Sequence, residues 1–165
     1  MGWAEDKRWS DRFLPEIKRI LGEHLIGEPP HEEDAERNTD LIVLRMEAVR
    51  IGCRVRKHQY ANRYGGEFTI REGRPSGVKT ELAKIIEGWG DYLLYGFSDE
   101  TEHALHQWFL GDMRVFRLWF NQSIVINKGK VPGFQNKNSD SAASWFRAFK
   151  ISDLPKEFVV ASKRS

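Results

Sequence analysis

The sequence predicts an α/β fold, a single domain over residues 1–165 with a central mixed β-sheet flanked by helices. Two periodicities carry that expectation. Apolar residues recur at helical spacing in residues 10–26 and 80–89, whereas residues 49–56 and 67–71 alternate between apolar and polar. Length is the third observation, because 165 residues can bury roughly two-thirds of their unfolded surface around one core. The predicted order is helix, strand, strand, strand, helix, strand over residues 10–97, followed by a C-terminal α/β extension over 98–165.

In the first helix Phe13, Leu14, Ile17, Ile20, Leu21, His24 and Leu25 share a face, Ser10 is the expected N-cap, and Pro15 is tolerable only in the first turn. Gly27 and Pro29-Pro30 stop it, and HEEDAERNT (31–39) reads as an acidic loop or short helix. DLIVLR (40–45) is an apolar run of strand length. VRIGCRVR (49–56) puts Val49, Ile51, Cys53 and Val55 on one side and Arg50, Arg54 and Arg56 on the other. The short Met46-Glu47-Ala48 connection predicts that these two strands form an antiparallel hairpin. EFTIR (67–71) is the third strand, with Phe68 and Ile70 inward.

Thr80 is then expected to cap a helix bearing Leu82, Ile85, Ile86 and Trp89, ended by Gly88 and Gly90. DYLLYGF (91–97) reads as a buried strand, and residues 99–110 as a short helix with Ala104, Leu105, Trp108 and Phe109 on its apolar side. MRVFRLWF (113–120) and SIVI (123–126) are strand candidates. Residues 127–144 read as a mobile glycine-, asparagine- and serine-rich loop before a last strand, WFRAFKI, and a turn or short helix from Ser152.

Composition narrows the function. With 40% hydrophobic and 30% charged residues the chain is a soluble globular protein rather than a disordered one. No apolar run approaches the roughly 18 residues that cross a bilayer, and MGWAEDKRWSDRF has no signal-peptide core, so a cytoplasmic location is expected. The lone Cys53 excludes an internal disulfide and a cysteine-cluster zinc site, and its strand setting predicts a small buried hydrophobe. Four of the tryptophans, Trp89, Trp108, Trp119 and Trp145, fall on apolar faces and read as structural, while Trp3 and Trp9 could serve a partner. GRPSGVKT lacks the Walker A spacing, and no Ser/His/Asp or Cys/His arrangement has motif context. Nucleotide hydrolysis and acyl transfer therefore drop out.

The net charge of +2 conceals alternation. Residues 1–40 carry −5, 41–79 carry +6, 80–112 carry −6 and 113–165 carry +7. The first basic block coincides with the predicted hairpin, where Asp40 opens one strand and Arg54 and Arg56 share a face of the other. A carboxylate and two guanidiniums at one sheet end suit a phosphodiester, the acid through a divalent metal and the arginines directly. Arg71, Arg74, Ser76 and Lys79 around a turn before a helix add a second candidate anion site. Tyr60 and Tyr64 with Arg63 between them offer rings and a cation for unpaired bases.

NTDLIVLRMEAVRIGCRVR, IIEGWGDYLLYGF and WFRAFKISDLP together resemble the layout of the PD-(D/E)XK nuclease superfamily, most closely its Holliday junction resolvase branch. The resemblance implies a restriction-endonuclease-like core, Asp40 as a metal ligand, magnesium or manganese as cofactor, and cleavage of DNA. Where that family carries Glu-X-Lys, this chain reads Arg54-Val55-Arg56. Arg54 cannot bind a metal, and Arg56 replaces the lysine only as a cation. Completing the site would require Glu67 to supply the missing carboxylate, or Glu33 or Glu36 from the acidic loop.

Two readings follow. One is a metal-dependent endonuclease with Asp40 and Glu67 as metal-binding catalytic carboxylates, Arg56 as the catalytic cation, and Arg54, Arg56, Arg71, Arg74, Lys79, Tyr60 and Arg63 as nucleic-acid contacts. The other is a nuclease-like binding module without catalysis, for nucleic acid, DNA ahead of RNA, or for a protein partner in the manner of a phage accessory factor. A dimer is compatible with either.

Overall fold

The computed structural model describes residues 3–27, 42–43, 49–137 and 144–163. The fold is mixed α/β, built on a four-stranded mixed sheet and a second, three-stranded sheet with helices packed on them.

Two helices come first, α1 (Trp3–Asp11) and α2 (Leu14–Leu25); the turn between them falls inside residues 10–26, where one helix was expected. Ser10 does not cap; its hydroxyl donates to the carbonyl of Lys7, inside α1. Pro15 sits in the first turn of α2, where its missing N–H leaves no bond unmade. Two short strands, β1 (Ile26–Gly27) and β2 (Ile42–Val43), pair antiparallel. This corrects the predicted hairpin, because Ile42–Val43 is joined to Ile26–Gly27 and not to residues 49–56. Asp40, the rest of the acidic loop and Met46-Glu47-Ala48 lie outside the described residues.

β3 (Ile51–Arg56) instead pairs parallel with β5 (Tyr92–Ser98), at the edge of the sheet β3-β5-β6-β9. A parallel pair needs a long crossover, and here it contains a short helix α3 (Ala61–Tyr64), β4 (Glu67–Gly73) and α4 (Glu81–Ile86). The expected helix at 99–110 is a turn followed by β6 (Leu105–Asp112), which returns antiparallel along β5. Asp99 causes the difference. Its carboxylate accepts from Thr101 Oγ1 at 2.7 Å and from the amides of His103 and Ala104 at 3.0 and 3.3 Å, organising a loop where the spacing alone suggested a helix.

The strand reading of residues 113–126 is overturned by α5 (Met113–Ile126). Asp112 caps it by accepting from the amides of Arg114 and Val115, and Met113, Phe116 and Phe120 form its buried stripe at helical spacing. β-branched and aromatic content pointed to strands; the cap and the stripe decide for helix. Part of the predicted loop is also a strand, β7 (Phe134–Lys137), which pairs with β8 (Trp145–Lys150). β9 (Val159–Lys163) completes the four-stranded sheet beside β6.

The four-stranded sheet separates two cores. Ile17 and Ile20 of α2, with Phe13 beside them, pack on Leu94, Leu105 and Leu110. The opposite face, with Leu93, Tyr95, Phe97 and Phe109, meets Phe68 and Ile70 of β4, Phe149 of β8 and the stripe of α5. Trp9, assigned above to a partner, packs at the edge of the first core and donates from Nε1 to Glu102 at 2.7 Å. Trp89, expected on an apolar face, is exposed beneath the guanidinium of Arg50.

Glycine is required at one close approach. A Cβ on Gly73, at the bulge that ends the β4–β8 ladder, would lie 2.1 Å from the Trp145 ring. Gly73→Ala is therefore expected to destabilise the protein by about 1–3 kcal/mol, the range for overpacking, read as a lower denaturant midpoint with unchanged slope.

Candidate nucleic-acid interface

The alternation of β3 decides where its arginines point. Arg54 lies beside Tyr95 and Arg56 beside Phe97 in the parallel register, so both share the sheet face turned toward β4 and β8, while Ile51 and Val55 join the core under α2. Cys53 is exposed on this edge strand, which corrects its assignment as a buried residue. Crowding of the sulphur by neighbouring atoms nevertheless desolvates the thiol and pushes its pKa above the ordinary value, the opposite of what a nucleophile needs.

The three-stranded sheet presents a matching face. In β4, Phe68 and Ile70 enter the core, leaving Glu67, Thr69 and Arg71 on the other side. Their register partners in β8 are Lys150, Ala148 and Phe146, and β7 adds Phe134 and Asn136 opposite Ala148 and Phe146. Between this face and β3 lies a groove of about 500 Å³ lined by Arg54, Arg56, Tyr60, Tyr64, Glu67, Thr69, Asn136 and Phe146, among others.

Each cation in the groove is held differently. Arg54 donates to the main-chain oxygen of Thr69 at 2.7 Å, meets Glu81 at 3.6 Å and lies 5.4 Å from the Phe146 ring centre. Arg71 approaches the same ring, also at 5.4 Å. Its Nε is buried without a hydrogen-bond partner among the described residues. Burial lowers the Arg71 pKa from its ordinary value, Arg74 and Arg54 lower it further, and Glu81 opposes them; guanidinium remains charged at neutral pH all the same. Arg56 sits 4.7 Å above the Tyr60 ring and 5.6 Å from that of Tyr64, with no carboxylate partner among the described residues.

The sequence-predicted residues thus divide. Arg54, Arg56, Tyr60 and Glu67 line one groove, and Arg71 flanks it. Arg63 lies over the outer Tyr64 ring at 5.2 Å. Lys79 is engaged by Glu87 on the surface. Arg74 supplies the carbonyl of the exposed Arg74–Gly77 turn. At the helix start where an anion site was expected, Thr80 donates its hydroxyl to the Glu72 carbonyl instead of capping α4, and Glu81 occupies the first turn. Asp40 lies outside the described residues.

Phe134, Asn136, Phe146 and Lys150 were not singled out from sequence. The alternation within WFRAFK already separates Phe146, Ala148 and Lys150 from Trp145, Arg147 and Phe149, but the mixed character of the first set becomes a site only when β3 lies across from it.

The described residues of this groove do not furnish a carboxylate pair able to hold magnesium or manganese. Glu67 is the one acid lining it among the described residues, Glu81 is occupied by Arg54 and the Arg71 amide, and no group of three metal-ligating side chains occurs among those residues. A larger cavity of about 680 Å³ lies under Gly65–Gly66 and the C-terminal turn, but its cations are the exposed Lys156 and Lys163 and it contains none of the predicted residues. Among the described residues, no helix is long and apolar enough to cross a membrane. Compared with models of known protein families, with characterised proteins and with solved structures, the chain matches none.

Proposed function

We propose that this chain binds nucleic acid through the groove between β3 and the three-stranded sheet, without cleaving it. The observation that carries this reading is the combination of cations and rings on one face: Arg56 against Tyr60 and Tyr64, and Arg54 and Arg71 about Phe146. Guanidiniums contribute bidentate phosphate contacts, and rings beside them contribute stacking surfaces. Among the described residues, Arg54 and Arg71, with Arg74 nearby, share one carboxylate, Glu81, so the local charge is left in excess and suits a polyanion.

Salt dependence tests this. Affinity for a fluorescein-labelled oligonucleotide should fall linearly on a log–log plot against salt concentration; affinity that does not change between low and high salt would sink the proposal. The role of Glu67 separates binding from catalysis. As a lone carboxylate facing phosphate it opposes binding, so Glu67→Gln should tighten binding about three-fold, the effect of removing roughly 0.5–1 kcal/mol of repulsion at a solvated site. Magnesium-dependent cleavage abolished by the same substitution would restore the endonuclease.

A further inference from the structure

We infer that the nucleic acid is single-stranded and that its unpaired bases lie on the rings of this face, Phe134 foremost; this rests on the nucleic-acid reading above. Phe134 is 56% exposed although it stands in a paired strand, and its ring has Lys150 Nζ 5.4 Å from its centre. Tyr60, 37% exposed, is capped by Arg56 in the same way. An aromatic ring held open to solvent beside a cation gains little from folding, but it offers a base both a π-face and a nearby charge for the attached phosphate.

The spacing of the rings fits successive bases of an extended strand. Phe134 pairs with Ala148, and Asn136 with Phe146, so Phe134 and Phe146 are diagonal neighbours on one sheet face, a relation that places such residues about 7–8 Å apart. Asn136 stands in register with Phe146, where its amide can donate and accept at a base edge. The adjoining groove of about 500 Å³, lined by Tyr60, Asn136 and Phe146 while Phe134 stands outside it on the same sheet face, has the dimensions of a small-molecule pocket and admits individual bases; a rigid double helix could only rest on its rim. Stacking with few base-edge contacts makes the binding tolerant of sequence.

The test uses the full chain and three labelled probes of equal length in fluorescence anisotropy: oligothymidylate, a duplex, and an oligomer in which most bases are replaced by abasic sites. Oligothymidylate should bind at least ten-fold more tightly than the other two. Phe134→Ala should weaken oligothymidylate binding about ten-fold, within the range for losing one stacked base, while leaving the salt slope unchanged, and Phe134→Trp should restore it. Equal affinity for all three probes, or tighter binding of the duplex, overturns the inference and leaves nucleic-acid binding standing. Absence of salt-sensitive binding to any probe overturns both. Because Phe134 is exposed, its variants keep the core intact, and unchanged unfolding midpoints verify that.

Discussion

Replacing Arg56 and Arg71 together by alanine is expected to weaken oligonucleotide binding by about 100-fold, the loss of two charge-assisted contacts at roughly 1.5–3 kcal/mol each after partial compensation. The log–log salt slope should become shallower by about 1.4, two phosphate contacts on a single strand at about 0.7 each. These two arginines are the informative pair because folding depends little on either head group. Arg56 has no ion-pair partner among the described residues, and the Nε of Arg71 is a buried donor without an acceptor, crowded by Arg54 and Arg74. Removing an unsatisfied donor is neutral or stabilising, so the variant should unfold at or slightly above the wild-type denaturant midpoint. Arg54→Ala is the less clean substitution, since it also detaches Thr69 and Glu81. A double variant that unfolds like wild type and binds with undiminished affinity would remove the groove from consideration.

Phe68→Ala is expected to be the most damaging core substitution, costing about 3–5 kcal/mol. The Phe68 side chain is fully buried, and its ring lies 5.3–6.3 Å from those of Tyr95, Phe109, Phe116, Phe149 and Phe158. Those five come from both sheets, from α5 and from the C-terminal turn, so this one side chain is shared by every layer on that side of the molecule. Removing it creates a cavity bounded by rigid rings, which collapse poorly onto lost volume. Against a typical total of 5–15 kcal/mol such a loss is a large fraction. Guanidinium unfolding measures it; a shift equivalent to less than about 1 kcal/mol would show that the ring cluster is not the common core of the two sheets.

How far the sequence anticipated this arrangement depends on whether an element was specified locally. β3 was legible because strict alternation survives any choice of partner, and the alternation put Arg54 and Arg56 on one face, as the structure has them. β4 was legible for the same reason, α2 from its helical spacing and β5 from its short apolar run. The identity of the neighbour was not local information. VRIGCRVR could pair with the run before it or, across a crossover, with YLLYGFS, and the structure chooses the second. Residues 113–126 show the reverse error, where composition rich in Val, Ile, Phe and Trp masked a helical stripe announced by the Asp112 cap. Part of the interface, Phe134, Asn136 and Phe146, comes from β7 and β8, which reach it because β8 pairs with β4 and β7 with β8, pairings that no local pattern encodes.

β3 and β4 face each other with edges that carry no backbone ladder between them among the described residues, and Arg54 reaches from one to the main chain of the other. In mechanical terms that seam is stitched by side chains instead of a row of strand bonds: Arg54 bonds Thr69 and meets Glu81, Thr69 Oγ1 lies 3.2 Å from the Tyr95 hydroxyl, and the Phe68 ring cluster beneath sets the clearance between the two sheets.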